Sequence, residues 1–403
     1  MGASVKSWKV NLAAAWVAQF LCIAGFTAAF PFTPFFIREL GVTGVDQVAL
    51  WSGMIAAAGS VSMAVISPVW GVLADRHGRK LMVERAAFAG AVIMASMALS
   101  ASVEQLLVLR ILQGLFTGTI AAFAALVAAF SPPERLGFSM GAIQMAVYTG
   151  ISVGPMIGGF VADQVGYRWT FAATGVLLFV AGLLVYFLVY ERFERPPDET
   201  KDGRSLRAMT SRITHSMPML GAIIALGGVY LCGAIPSPVL PLFIESLLPS
   251  PELINTTTGL VYGANAAVSA LSAVFIGHIS DRIGPRTVLL ACAGGSVLAY
   301  VGQSLSPSIG WLIMASAMVG MFAGGLLSAN NAILARVAPK NAQGAVYGIS
   351  NSVNSGGRAI GPMVGAAAVS AWGLRSAFRV SAVLFLLLAV WVALVIPRQP
   401  RAE

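Results

Sequence analysis

The chain alternates long apolar runs with short polar turns from one end to the other. A run of about 20 apolar residues carries a helix across ~30 Å of hydrocarbon. Twelve such runs are read, at residues 10–37, 49–72, 83–101, 105–128, 139–162, 167–190, 217–244, 257–278, 287–305, 309–331, 344–369 and 374–396. The first follows Lys6 and Lys9, but it is too long for the apolar part of a cleaved signal and reads as a retained span. The longest interruption, residues 191–216, holds six basic and five acidic residues that nearly cancel, as a solvated linker does. The expected fold class is therefore an all-α polytopic membrane protein. Its expected parts are a six-helix bundle over 1–190, a cytoplasmic linker over 191–216 and a second six-helix bundle over 217–403.

The two halves repeat each other. Gly71, Asp75, Arg76 and Gly78 recur 206 residues later as Gly277, Asp281, Arg282 and Gly284. Pro34 to Leu40 matches Pro241 to Leu247 at an offset of 207, and Gly154, Pro155 and Gly158 match Gly361, Pro362 and Gly365 at the same offset. Gly166 and Arg168 recur as Gly373 and Arg375, again 207 residues on. Separate matches at one spacing point to two like-oriented, pseudo-symmetric six-helix bundles.

Composition agrees with the pattern: 57% of the 403 residues are hydrophobic and 10% charged, against about 25% charged in soluble domains. The net charge of +9 reports topology rather than a nucleic-acid partner. With the N-terminus inside, 19 of the 25 Lys and Arg residues fall in inner loops, tails and adjoining helix ends, and four fall on the outer side. By the positive-inside rule, a multi-pass protein of the inner or plasma membrane with both termini cytoplasmic is expected. Cys22, Cys232 and Cys292 all lie in apolar runs, so no disulfide framework is visible. No phosphate-cradling loop, zinc motif or nucleophile triad appears either. Neither an enzyme nor an ATP-driven pump is expected, and no cofactor or metal.

Gly71, Asp75, Arg76, Gly78, Arg79 and Lys80 form a charged, glycine-rich turn between two spans. The weaker copy is Gly277, Asp281, Arg282, Gly284 and Arg286, with Pro285 in the place of Arg79. In the fourth span Arg110 and Gln113 precede Gly114 and Gly118; in the fifth, Gly141 leads to Gly150, Gly154, Pro155, Gly158 and Gly159. Glycines four apart leave a groove for a neighbouring helix, while Pro155 removes one N–H. The stripe serves either as a pivot or as static packing.

Over essentially its whole length the chain resembles the major facilitator superfamily of secondary transporters, in particular the twelve-helix multidrug/proton antiporter branch. The resemblance implies that the two charged turns are cytoplasmic latches. It also implies that Arg110 belongs to a motif linked to proton transfer, and that the fifth-span glycines mark an antiporter. The sugar-importer signature is absent; its place reads Glu191, Arg192, Phe193, Glu194.

Charges inside a bilayer are costly and ask for a reason. Arg110 lies about five residues from the outer surface, close enough to snorkel, though its motif favours a cavity-facing role. Arg358 lies deeper, with Asn354 one turn before it, and faces either a central cavity or backbone carbonyls. No acid lies deep in a span; Glu84 and Asp163 are the least exposed acids, and Arg110, Gln113, Asp75 and Glu84 are the candidates for proton coupling. Candidate cavity residues are Phe30, Phe32, Met145, Tyr148, Tyr230, Tyr262, Asn265, Asn330, Asn354 and Arg358. In-span arginines without in-span acids favour neutral, zwitterionic or anionic cargo over lipophilic dications. The expected function is proton-coupled efflux of drugs or other small amphipathic molecules by a monomer in the lipid bilayer, through alternating access. The alternatives are a narrow-specificity exporter of a sugar, amino acid or metabolite, and a non-transporting sensor.

Overall fold

A computed structural model describes residues 2–191, 217–249, 253–337 and 343–395. The expected linker, apart from Glu191, lies outside the described residues, as do the side chains of Asp75 and Asp281. Every regular element among the described residues is helical. The first half contains α1 (Gly2–Ala29), a 3-10 turn (Phe30–Phe32), α2 (Thr33–Glu39), α3 (Val45–His77) and α4 (Arg79–Ala98). It continues with α5 (Val103–Phe116), α6 (Thr119–Phe130), α7 (Leu136–Val165) and α8 (Tyr167–Leu188). The second contains α9 (Met217–Ala234), α10 (Leu240–Leu247), α11 (Ile254–Ile283), α12 (Pro285–Ser304), α13 (Ile309–Val337), α14 (Gln343–Trp372) and α15 (Ser376–Val395). Among the described residues, ten helical segments are long and apolar enough to cross a membrane.

Three expected spans are interrupted. The first bends at Phe30–Phe32, beside Pro31 and Pro34, where proline withholds the N–H that an α-helix needs. The fourth breaks at Gly118, whose φ of +125° is open to glycine and strained for other residues. The seventh stops at Ala234 and resumes at Leu240, with Pro236 and Pro238 between.

The chain divides into two compact units. One comprises Met1–Gly44, Ala58–Pro197 and Ser250–Gly263; the other comprises Val45–Ala57, Asp198–Pro249 and Ala264–Glu403. In the first, α1 packs against α7 and α8, and α4 against α8. In the second, α9 packs against α14 and α15, and α12 against α13 and α15.

The repeat is visible bond by bond. Phe36 and Phe171 rings lie 5.1 Å apart in the first unit, as do Phe243 and Phe378 in the second, each pair shifted by 207. Thr174 donates its hydroxyl to the Gly25 carbonyl at 2.9 Å, and Ser381 donates to Cys232 at 3.0 Å. Lys80 donates from Nζ to the Tyr186 carbonyl at 2.8 Å; its counterpart Arg286 donates to Ala393 at 2.8 Å. The Arg168 guanidinium lies 5.5 Å from the Phe36 ring and that of Arg375 5.8 Å from Phe243.

Candidate functional site

The fifth-span glycines lie on two faces of α7. Gly150, Gly154 and Gly158 meet α1: a Cβ on Gly150 would lie 2.8 Å from the Ile23 Cβ, and one on Gly154 would lie 2.5 Å from the Ala24 carbonyl oxygen. On Gly158 it would overlap the Ala28 carbonyl. Thr27 seals the seam by donating its hydroxyl to the Gly150 carbonyl at 2.9 Å. Gly159 and Pro155 point elsewhere, toward the start of α11: a Cβ on Gly159 would overlap the Asn255 carbonyl, and Gly259 meets the Pro155 carbonyl in the same way. Gly141 has open space around it among the described residues. The second unit repeats the first face, with Gly361 against Leu231 and Ala234 and Gly365 against Ile235. Backbone against backbone is what a small-residue stripe permits.

Arg110 sits on α5 in a pocket of aromatic and backbone groups. Its Cζ lies 3.5 Å from the centroid of the Phe30 ring, and Nη1 donates to Gln113 Oε1 at 2.6 Å. Gln113 is buried. The third wall is Gly59 of α3, where an added Cβ would stand 2.7 Å from Arg110 Nε. That Nε is buried and has no hydrogen-bond partner among the described residues. Gly114 lets α5 approach the Gly59 backbone closely enough to form the wall. The Arg110–Gln113 pairing follows directly from the i,i+3 spacing. Phe30 and Gly59 come from other elements and were not legible as Arg110's neighbours.

Two carboxylates cap helix starts in the first unit. Glu191 accepts from the backbone N–H groups of Arg79 at 3.0 Å and Lys80 at 2.7 Å, the opening residues of α4. Free N–H groups and the helix dipole make that end attractive to an anion. The latch turn before it bends at Gly78, with φ +96°, and the copy bends at Gly284, with φ +90°. Lys80 also lies 3.6 Å from Glu84 Oε1. Arg76 and Arg282 are exposed; the expected latch positions Gly71, Asp75 and Asp281 lie outside the described side chains. The position matching Glu191, 207 residues on, is Arg398, which lies outside the described residues.

Asp163, near the end of α7, holds the start of α11. Its Oδ1 accepts from Asn255 N at 3.3 Å and Nδ2 at 2.8 Å, and its Oδ2 from Thr256 N at 2.8 Å and Oγ1 at 2.5 Å. Asn255 Nδ2 lies 3.3 Å from the Tyr167 hydroxyl. An Asn-Thr-Thr run opening an apolar stretch is a helix-start signal, but nothing in the sequence ties it to residue 163.

The cavity candidates divide between the units. In the first, Met145 and Tyr148 are exposed, Phe30 and Tyr262 are partly exposed, and Phe32 is buried at 1% exposure. In the second, Asn265 donates to the Ser316 carbonyl at 2.8 Å and Asn330 is buried, reaching Ala222 O at 3.3 Å. Asn354 keeps a buried Oδ1 without a partner among the described residues, and exposed Arg358 lies 4.8 Å from the Tyr230 ring. Missed altogether was Arg85, whose guanidinium stacks 3.3 Å from the Trp70 ring while Trp70 donates to the Leu115 carbonyl at 2.7 Å.

Known proteins match along the whole length. Multidrug resistance protein MdtG of Klebsiella pneumoniae (strain 342) is 31% identical over 397 residues, covering 98% of this chain and 96% of that protein. MdtG of Citrobacter koseri is 32% identical over 385 residues, covering 96% and 94%. Among solved structures, a bacterial homolog to the human lysosomal transporter Spinster, inward-facing and occupied, superposes with a TM-score of 0.81 at 15% identity, covering 95% of this chain and 96% of that one. The Major Facilitator Superfamily model matches residues 15–255 and 222–403. With a repeat that holds bond by bond and relatives of this identity across both halves, the chain belongs to the Major Facilitator Superfamily.

Proposed function

We propose that this chain is a secondary exporter of drugs and similar small amphipathic molecules, working by alternating access and driven by inward proton flow. The observation that carries the reading is 31–32% identity, over nearly the full length, to proteins named for multidrug resistance. The backbone contacts of Gly150, Gly154, Gly158 and Gly159 and the bond from Arg110 to buried Gln113 support the antiporter branch. Proton coupling rests on that branch resemblance and the cytoplasmic termini on the distribution of Lys and Arg; the monomeric state is part of the proposal. The latch role of Asp75 and Asp281 is likewise part of the proposal.

Proteoliposomes carrying the purified protein, under an imposed pH gradient and offered a chemically mixed drug panel, test it. Uphill movement of several unrelated compounds that collapses with an uncoupler is the expected result. Arg110→Ala and Asp75→Asn are expected to abolish coupled flux with the fold retained. Movement of one solute alone would replace the multidrug reading with a narrow one, and flux indifferent to the pH gradient would remove the proton.

A further inference from the structure

The exporter reading leaves the chemistry of the cargo open, and the surroundings of Arg110 narrow it. The guanidinium is stacked on Phe30 and bonded to Gln113, a neutral amide, while its Nε is sealed against Gly59 without a hydrogen-bond partner among the described residues. No carboxylate forms an ion pair with it among the described residues. The elements that touch it explain why. α1 and the turn after it contain no acid. The acids of α3 are Asp46 and Asp75, thirteen and sixteen residues from Gly59, or about 20 and 24 Å along the helix axis. On α5 the single acid is Glu104, six residues before Arg110 and exposed, about 9 Å along the axis. Glu39 is occupied by Arg168 at 2.9 Å, and Asp163 by Asn255 and Thr256.

The cation is thus held in place by groups that do not neutralise it. A largely enclosed positive charge without a counter-charge is costly, and a guanidinium with one face on an aromatic ring still has donors for an oxyanion. The residue is not sealed as a whole, since it retains partial exposure. Building on the exporter reading, we infer that Arg110 is a specificity-determining residue that selects amphipathic organic anions, an aromatic or apolar body bearing a carboxylate or comparable oxyanion, over organic cations. Phe30 receives the apolar body beside the charge, and Gln113 and Gly59 position the guanidinium.

Equilibrium binding to the full-length protein in detergent tests this with two fluorescent aromatic probes of opposite sign, fluorescein and ethidium. Fluorescein is expected to bind more tightly than ethidium. In Arg110→Ala, fluorescein affinity falls about tenfold or more, the size of one charge-assisted hydrogen bond, while ethidium affinity holds or rises. That opposite response is one a merely structural role does not produce: equal loss of both probes overturns the inference, and so does unchanged fluorescein binding. Should Arg110→Ala not fold, Gly59→Ala, which displaces Nε without altering any charge, and Arg110→Lys, which keeps the charge without the fork, are expected to weaken fluorescein alone. Flux into inverted vesicles separates this inference from the reading beneath it. Ethidium transported strongly with fluorescein neither bound nor moved overturns the inference and leaves the exporter standing. Fluorescein bound through Arg110 yet never moved does the reverse.

Discussion

Asp163 holds Thr256 twice, through the backbone N–H at 2.8 Å and the hydroxyl at 2.5 Å, so that one carboxylate pins the first turn of α11 to the end of α7. The adjoining N–H of Asn255 and its amide complete the clasp on the other carboxylate oxygen. Replacing Asp163 by Ala strands these donors, and a loss of about 2–3 kcal/mol of stability is expected for hydrogen bonds to a charged group. Hydrogen exchange at the Asn255 and Thr256 amides, followed against Arg79 and Lys80 as internal controls, checks it. Accelerated exchange confined to the first pair is the expected outcome; equal protection in both proteins would show that the clasp holds nothing.

Glu191 makes the complementary prediction. Glu191→Ala frees the Arg79 and Lys80 N–H groups, and the loss should be about 1 kcal/mol, as for other helix caps. Glu191→Gln should recover part of it, because an amide oxygen still accepts one N–H. Thermal unfolding of the three proteins in one detergent provides the comparison, and identical midpoints would refute the capping role.

The glycine stripe predicts a position-dependent series along one helix. Gly158→Ala drives a methyl into the Ala28 carbonyl, and Gly365→Ala does the same to Ile235 in the other half. Overpacking of this kind costs about 1–3 kcal/mol. Gly141→Ala meets open space on the same helix as Gly158 and should be neutral or stabilising by up to about 1 kcal/mol, since alanine favours helix over glycine. Unfolding midpoints that fail to separate Gly158→Ala from Gly141→Ala would show that the stripe is not a contact surface.

Trp70→Leu should loosen Arg85, whose guanidinium is stacked on that ring with Nε and Nη1 buried and without a hydrogen-bond partner among the described residues. A cation–π contact shielded from water contributes about 1–2 kcal/mol. A double-mutant cycle with Arg85→Met measures the coupling directly, and additive effects of the two changes would exclude it.

The repeat was legible because a shared offset needs only residue identities: Gly25 and Cys232 look unrelated, yet both accept the same hydroxyl bond in their halves. The turns at Gly78 and Gly284 were legible as charged, glycine-rich breaks, although the expected spans stopped at 72 and 278 and the helices run on to His77 and Ile283. The breaks at Phe30–Phe32, at Gly118 and after Ala234 were passed over, although the prolines beside the first and third were in view, because hydropathy counts apolar residues and is blind to a missing N–H. Glu191 stood in a place noted only for failing to match another signature. Its partners lie 111 and 112 residues away, and no periodicity spans such a distance.

The sequence alone determined that this chain crosses a membrane many times, in two related halves, and which family it resembles. Those properties follow from apolar length, charge sign and spacing, all summed locally along the chain. Tertiary structure alone decided that the α7 stripe divides between α1 and α11, that Asp163 and Glu191 cap helices to which they do not belong, and that Arg110 is walled by Phe30 and Gly59. Each of these depends on which backbone surfaces come within a few ångströms after packing, and a linear pattern holds no record of that distance.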